Sequence, residues 1–432
     1  MLNRSLAALL SSVLLGALFI GAPTSVRAGS TIYVGPGRGS GGCASPDYQT
    51  DGTADNEQIE NAVNTAASGD TIYLCAGSFD IADQVHFGSK NLTFQGAGKS
   101  RTILDAHERD TRFFNSDSPT VIFRDLTMQN ANQSSYVGAI WGDDHADITI
   151  QRSAFLNNYA ADGMGVVFSR RGNITVSDSS FVGNYSDSRG DLFYGGGAIT
   201  ASGEDSPDVS VTIRNSTFTG NYSVGDGGAI LSRGSLSITN SIFVNNETED
   251  DGGAIAVYGD LQVNSSSFSG NITHSEGASI YVECNTRMQV SGSTFNDNHA
   301  VGSNSDGGAF NIDCTDSAYI LINRNIFSNN TADDAGGVLD EDSLNTLNIT
   351  NNRFIKNSSK VENNLPDGGG AIWANYIRMT GNVFIGNTSE GCGGAVYVDD
   401  TDFGTARSNT YSANRGRVGG VREMNVCFWT PK

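Results

Sequence analysis

Two short motifs, locked in alternation over most of the chain, constrain this sequence more than any other feature. The first is aromatic-x-x-Asn. It occurs at Phe155…Asn158, Phe181…Asn184, Phe218…Asn221, Phe243…Asn246, Phe268…Asn271, Phe295…Asn298, Phe327…Asn330, Phe354…Asn357, Phe384…Asn387 and Tyr411…Asn414, with steps of 26, 37, 25, 25, 27, 32, 27, 30 and 27 residues. The second falls between most copies: Gly196-Gly197-Ala198-Ile199, Gly227-Gly228-Ala229-Ile230, Gly252-Gly253-Ala254-Ile255 and Gly277-Ala278-Ser279-Ile280. It continues as Gly307-Gly308-Ala309-Phe310, Gly336-Gly337-Val338-Leu339, Gly369-Gly370-Ala371-Ile372 and Gly393-Gly394-Ala395-Val396.

Within one unit, 252–277, Ala254–Val257 alternates small and larger apolar residues, Leu261–Val263 alternates apolar and polar ones, Ser265–Phe268 follows, and Gly, Asn or Asp ends each run. Such runs are strands, and no helix of ten residues fits between the turns. Three short strands per 25 residues, repeated, must stack in parallel about 4.8 Å apart. The implied fold is all-β, a right-handed parallel β-helix of roughly 12 to 13 coils whose stability comes from neighbouring coils. The Phe column predicts an interior ring stack. The Asn column predicts a turn with tolerated left-handed backbone and amide bonds from coil to coil.

The paired motifs resemble those of the polymorphic outer membrane proteins over roughly residues 138–420, and the broader pectate-lyase-like β-helix superfamily is similar in architecture. That resemblance implies a surface adhesin. At Cys427-Phe428-Trp429-Thr430-Pro431-Lys432 the sequence departs from that pattern, and the C-terminal membrane barrel of that family is not expected here.

Four segments are expected: a signal peptide at 1–28, an N-terminal cap with the first coils at 29–115, repeats at 116–420 and a C-terminal tail at 421–432. The leader reading rests on Arg4, the apolar run Leu6–Ile20 and Val26-Arg27-Ala28, with cleavage after Ala28. It implies a secreted or cell-surface monomer with no later transmembrane segment. The cap contains one credible helix, 56–66, where Ile59, Ala62, Val63 and Ala66 share a face and Asp55 with Gln58 forms a capping-box-like start. Without the leader, 24 basic side chains face 47 acidic ones, a net charge of −23. That surface repels nucleic acid and anionic lipid.

Six cysteines in an exported chain suggest three disulfides, with fifteen pairings formally open. Cys43 and Cys75 share the cap. Cys284 and Cys314 lie at the same offset in adjacent coils, which brings α-carbons within bridging range. Cys392 and Cys427 remain by subtraction.

Strand alternation turns one column outward on the strand after the Gly pair: Trp141, Thr200, Leu231, Ala256, Tyr281, Asn311, Asp340, Trp373 and Tyr397. Beside it stand Glu283, Asp313 and Asp342, then Asn375 and Asp399. Tyr281, Trp373, Tyr397 and Asp399 are the candidate glycan contacts. Glu283, Asp313 and Asp342 are the candidate catalytic acids, because carboxylates on neighbouring coils suit glycoside hydrolysis. Lyase chemistry would need a base, and no Arg or Lys is expected among these acids. A further column, Asp226, Asp251, Glu276, Asp306 and Asp367, precedes the Gly pairs and is a candidate calcium corner, although no cofactor is required. The reading for function is a β-helical protein that binds an extracellular glycan or surface partner. The alternative is an enzyme that degrades an acidic polysaccharide.

Overall fold

The computed structural model describes residues 29–36, 43–117, 120–143, 145–161, 163–187, 195–202, 209–284, 286–314, 318–341, 346–360, 368–398, 406–418, 421–422 and 425–428. The expected signal segment therefore lies outside the described residues. So do Asp342, Asp367 and Asp399.

The chain is a right-handed parallel β-solenoid of about 11 turns, close to the 12 to 13 coils counted from the repeat. End coils lack some strands: the four long sheets hold 15, 13, 10 and 13 strands. Each full coil has four sides where the sequence suggested three. In one coil face 1 is Ser235–Thr239, face 2 is Ile242–Val244, face 3 is the two-residue strand Glu247–Thr248, and face 4 is Ile255–Val257. Face 3 escaped notice because two residues are too few to show alternation.

Motif copies lie directly over one another. Phe243 pairs with Phe268 in register, and their rings stack at 4.7 Å and 2°. The stack runs unbroken from Phe155 to Tyr411, and all its Phe members are fully buried.

Two polar ladders mark the corners that flank it. Asn158, Asn184, Asn221, Asn246, Asn271, Asn298, Asn330, Asn357, Asn387 and Asn414 donate amide to carbonyl, coil to coil, at 2.8–3.1 Å. From Asn184 onward each of these amides also donates to a backbone carbonyl of the Phe column, as Asn271 does to Phe243 O at 3.2 Å, while Asn158 donates to Met128 O. The left-handed residue is not the ladder Asn but the one before it: Asn157 (φ 52°), Gly183 (62°), Asn245 (52°) and Lys356 (54°). Placing the ladder residue after the bend leaves its side chain pointing inward, which the sequence reading did not resolve. At the corner between faces 1 and 2, Ser153, Ser179, Ser216, Ser241, Ser266 and Ser293 form a second ladder that hands over to Asn325, Asn352, Asn382 and Asn409.

The Gly pair has two separate causes. The first Gly takes left-handed backbone, as at Gly252 (φ 75°). The second has no room for a side chain, since a Cβ on Gly253 would stand 2.1 Å from Ala278 O.

A helix, Asn56–Thr65, closes the N-terminal end with Ile59, Ala62 and Val63 buried in the core. The capping-box expectation is corrected: Asp55 makes no side-chain cap. It instead accepts the Gly52 and Asp80 amides at 2.9 Å, tying the helix start to the first coil. All three disulfides are present, Cys43–Cys75, Cys284–Cys314 and Cys392–Cys427, with α-carbons 5.7, 4.4 and 5.7 Å apart. Among the described residues no helix is long and apolar enough to cross a membrane.

Candidate functional site

Connection lengths single out one side of the solenoid. From face 1 to face 2, and from face 2 to face 3, the link in the repeat region is always two residues. From face 3 to face 4 it ranges from six (224–229) to twelve (187–198, 360–371). From face 4 to face 1 it ranges from one (Asn375) to seven (203–209, 399–405). A two-residue αL corner carrying a ladder side chain cannot absorb an insertion, so insertions collect on both flanks of face 4. In repeat proteins such insertions commonly mark the binding face.

The expected outward column of face 4 is in register from Asn115 through Trp141, Phe168, Thr200, Leu231, Ala256, Tyr281 and Asn311 to Asp340. It is a floor, however, and not an exposed rib. Leu231 and Ala256 are fully buried, and Asp340 is 2% exposed. The Gly-pair corner folds back over the column: Thr200 Oγ1 donates to Gly195 O at 2.7 Å, and a Cβ on Gly227 would meet Ala256 N at 3.1 Å. Asn115, Trp141, Tyr281 and Trp373 remain half-buried.

Trp373 and Tyr397 are vertical neighbours with rings 6.3 Å apart and 16° from parallel. Tyr397 is 1% exposed, which corrects its expected exposure. The next strand lays Cys427 beside it, and its ring turns a face toward Trp373 along the axis. Stacking in register sets that orientation.

The neighbouring column runs Asp143, Arg170, Ser202, Arg233, Tyr258, Glu283, Asp313 on consecutive coils, each residue following its strand's last inward position. Two arginines thus share the column of Glu283 and Asp313, against the expectation that it held no base. The signal was available in the sequence, since Arg233 follows Ile230 at the offset at which Glu283 follows Ile280.

Arg233 is the centre of the group. Its guanidinium lies 3.9 Å over the Tyr258 ring and 3.6 Å from Asp226, and Tyr258 donates its hydroxyl to Asp226 at 2.6 Å. Tyr281 leans on Tyr258 at 5.8 Å and 53°. Burial, then the Asp226 charge, pushes the Tyr258 hydroxyl well above the ordinary range, so it stays protonated and donates. Glu283 and Asp313 are exposed neighbours. Burial, followed by the charge of Asp313, raises the proton affinity of Glu283.

Asp226 and Asp251 come together as expected and bring Asp250, which the sequence reading missed in the run Glu249-Asp250-Asp251. Their ligand oxygens lie within 4.8 Å of one another. Burial raises the proton affinity of all three, that of Asp251 to about 6. Glu276 and Asp306 continue the backbone ladder but do not join this group; Asp306 accepts the Ala335 amide at 2.7 Å. Calcium would need six to eight oxygens. Three carboxylates could contribute to such a site, but Arg233 already faces Asp226 with the countercharge.

At the N-terminal end of the same face, Arg112 lies 5.3 Å over Trp141, and Tyr136 meets that indole edge-on at 6.0 Å.

Residues 198–376 match the family of the right-handed β-helix region, and residues 383–399 match the Chlamydia polymorphic membrane protein repeat. No curated protein sequence matches the chain. Among solved structures it is similar to the catalytic domain of a GH87 α-1,3-glucanase in complex with tetrasaccharides, at 14% identity and a TM-score of 0.50 over 88% of this chain and 70% of that one. It is also similar to PfbA, a surface adhesin of Streptococcus pneumoniae, at 12% identity and 0.42 over 86% and 91%. A third is a PL6 family polysaccharide lyase from Pseudopedobacter saltans, at 11% and 0.43 over 90% and 93%. At these identities the likeness establishes the right-handed β-helix fold and nothing finer.

Proposed function

We propose that this β-helix is a secreted or surface-displayed binding protein that grips an extracellular glycan along face 4. The carrying observation is the set Arg233, Tyr258 and Tyr281, half-buried on the one side where insertions flank the solenoid. A sugar meets such a set through its apolar ring face against aromatic carbon and through its hydroxyls against guanidinium and carboxylate. Glu283 and Asp313 supply acceptors at the next two coils, and Trp141 and Trp373 extend the track toward either end. Asp342 and Asp399 continue the same columns in sequence.

A glycan array with the purified chain tests this reading. Binding to at least one glycan class is expected, and Arg233→Gln together with Tyr281→Ala should weaken it at least tenfold, about 1.4 kcal/mol or more. Unchanged affinity in both variants would remove face 4 from the account.

The raised proton affinity of Glu283 beside Asp313 favours a second reading, a carbohydrate-active enzyme. Release of reducing ends or unsaturated products from uronate polymers, abolished by Asp313→Asn, would establish it over simple binding.

A further inference from the structure

A different side of the molecule carries an independent observation. On face 1 the central outward positions of consecutive coils are Thr149, Thr175, Thr212, Ser237, Gln262 and Gln289, in register from strand to strand. The first five side chains make no hydrogen bond among the described residues, whereas their neighbours do. In the adjoining column Asn173 donates to Asp147 at 3.0 Å, and the Ser210 hydroxyl donates to Asn173 at 2.7 Å. Asp260 accepts from the Thr286 and Arg287 amides at 2.9 Å each. Gln289 accepts from Arg287 at 2.6 Å, which ends the open run.

Three of the five, Thr212, Ser237 and Gln262, also line a concavity. A trough of about 220 Å³ crosses four coils, lined by Ser210, Thr212, Ser237, Gln262, Asp260 and Arg287. The one acid and the one base at its rim offset each other, so the trough is close to neutral on a chain of net charge −21. Its lining mixes short hydroxyls and an amide with Val211, Leu236 and Leu261, and it contains no aromatic ring.

We infer that face 1 is a second glycan-binding surface, one that takes a neutral linear polysaccharide laid along the solenoid axis. Three features set that class. Solvent-facing hydroxyl and amide groups without a protein partner repeat at the coil spacing of about 4.8 Å, so a polymer of hydroxyl-bearing rings can bond to successive coils. A charged polymer would find no compensating charge there, and a polyanion would meet the acidic surroundings. An apolar ligand would leave the hydroxyls desolvated without partners. The surface is distinct from face 4 and does not depend on the role proposed there.

The test is affinity electrophoresis of the full chain through gels that contain soluble β-1,4-glucan, β-1,3-glucan, α-1,6-glucan, mannan or polygalacturonate. At least one neutral polymer should retard the chain, with little change between 50 and 500 mM salt. The triple variant Thr212→Val, Ser237→Ala, Gln262→Leu should bind that polymer at least fivefold more weakly while its circular dichroism stays that of the parent. Ile242→Thr, on the exposed side of face 2, should leave the same retardation intact. The proposal is overturned if no neutral polymer retards the chain, or if the triple variant migrates as the parent does. Loss of retardation in Arg233→Gln with Tyr281→Ala, with the triple variant retarded as the parent is, would place the polymer on face 4 and reject this proposal, whereas loss in the triple variant alone supports it.

Discussion

Asp251 illustrates how a single side chain feels the stack. Burial, with the charges of Asp226 and Asp250 added, lifts its proton affinity to about 6, against 3.8 for an ordinary aspartate. The folded state therefore binds a proton that the unfolded chain does not between pH 6 and 4, and stability rises as pH falls through that window. Asp80, Asp105 and Asp260, whose affinities are lowered in the fold despite opposing burial, act only below pH 4 and in the other direction. Thermal melts should thus show a midpoint a few degrees higher at pH 5 than at pH 7. Asp251→Asn should flatten that difference, and a pH profile identical to the parent's would show that the carboxylate titrates normally.

The corners are the elements that decide whether a coil can exist. Asn271 accepts from the Asn246 amide groups and donates to Phe243 O and Asn298. Asn271→Ala leaves a buried amide and a buried carbonyl unmade, a cost of about 2–4 kcal/mol. Denaturant melts should register it, and hydrogen exchange should place the loosening in the two adjoining coils, because each coil is held mainly by its neighbours. Gly253→Ala is a harsher change. Its methyl would stand 2.1 Å from one carbonyl and 2.6 Å from another, both backbone and unable to move aside alone. A large loss of soluble expression is expected, while Gly220→Ala, whose Cβ would meet nothing within 4 Å but sits at φ 58°, should cost only about 1 kcal/mol. Equal yields from the two variants would contradict the close-packing account.

At the scale of the molecule, three disulfides staple a one-dimensional stack at its start, its middle and its end. Cys284 and Cys314 lie on consecutive coils beside the exposed acids Glu283 and Asp313, so their bridge also fixes the spacing of those carboxylates. It closes a loop of 30 residues, worth about 3.6 kcal/mol in the chain-entropy picture. Replacing both cysteines with Ala should lower the melting midpoint and speed proteolysis near residues 285 and 315 before cleavage elsewhere. Cleavage that begins at the N-terminal cap would place the weak point at the helix instead.

The sequence by itself determined the stack. A motif that recurs every 25 to 37 residues leaves parallel register as the only way to bury Phe on Phe, so the ring column, the disulfide between equivalent offsets and the floor of face 4 could all be counted out in advance. Even Arg233, Asp250 and the Ser ladder two residues before each Phe stood at fixed offsets, open to the same counting carried one step further. Exposure was decided only by the tertiary structure. Alternation says that a side chain leaves the core, but whether solvent then meets it depends on what folds back over it. At face 4 the Gly-pair corner buries Leu231, Ala256 and Asp340, and Cys427 is laid beside Tyr397. At face 1 nothing covers Thr175 or Gln262. Contacts across a corner depend on backbone curvature, a property of no single strand, and for that reason the binding surfaces came from the fold.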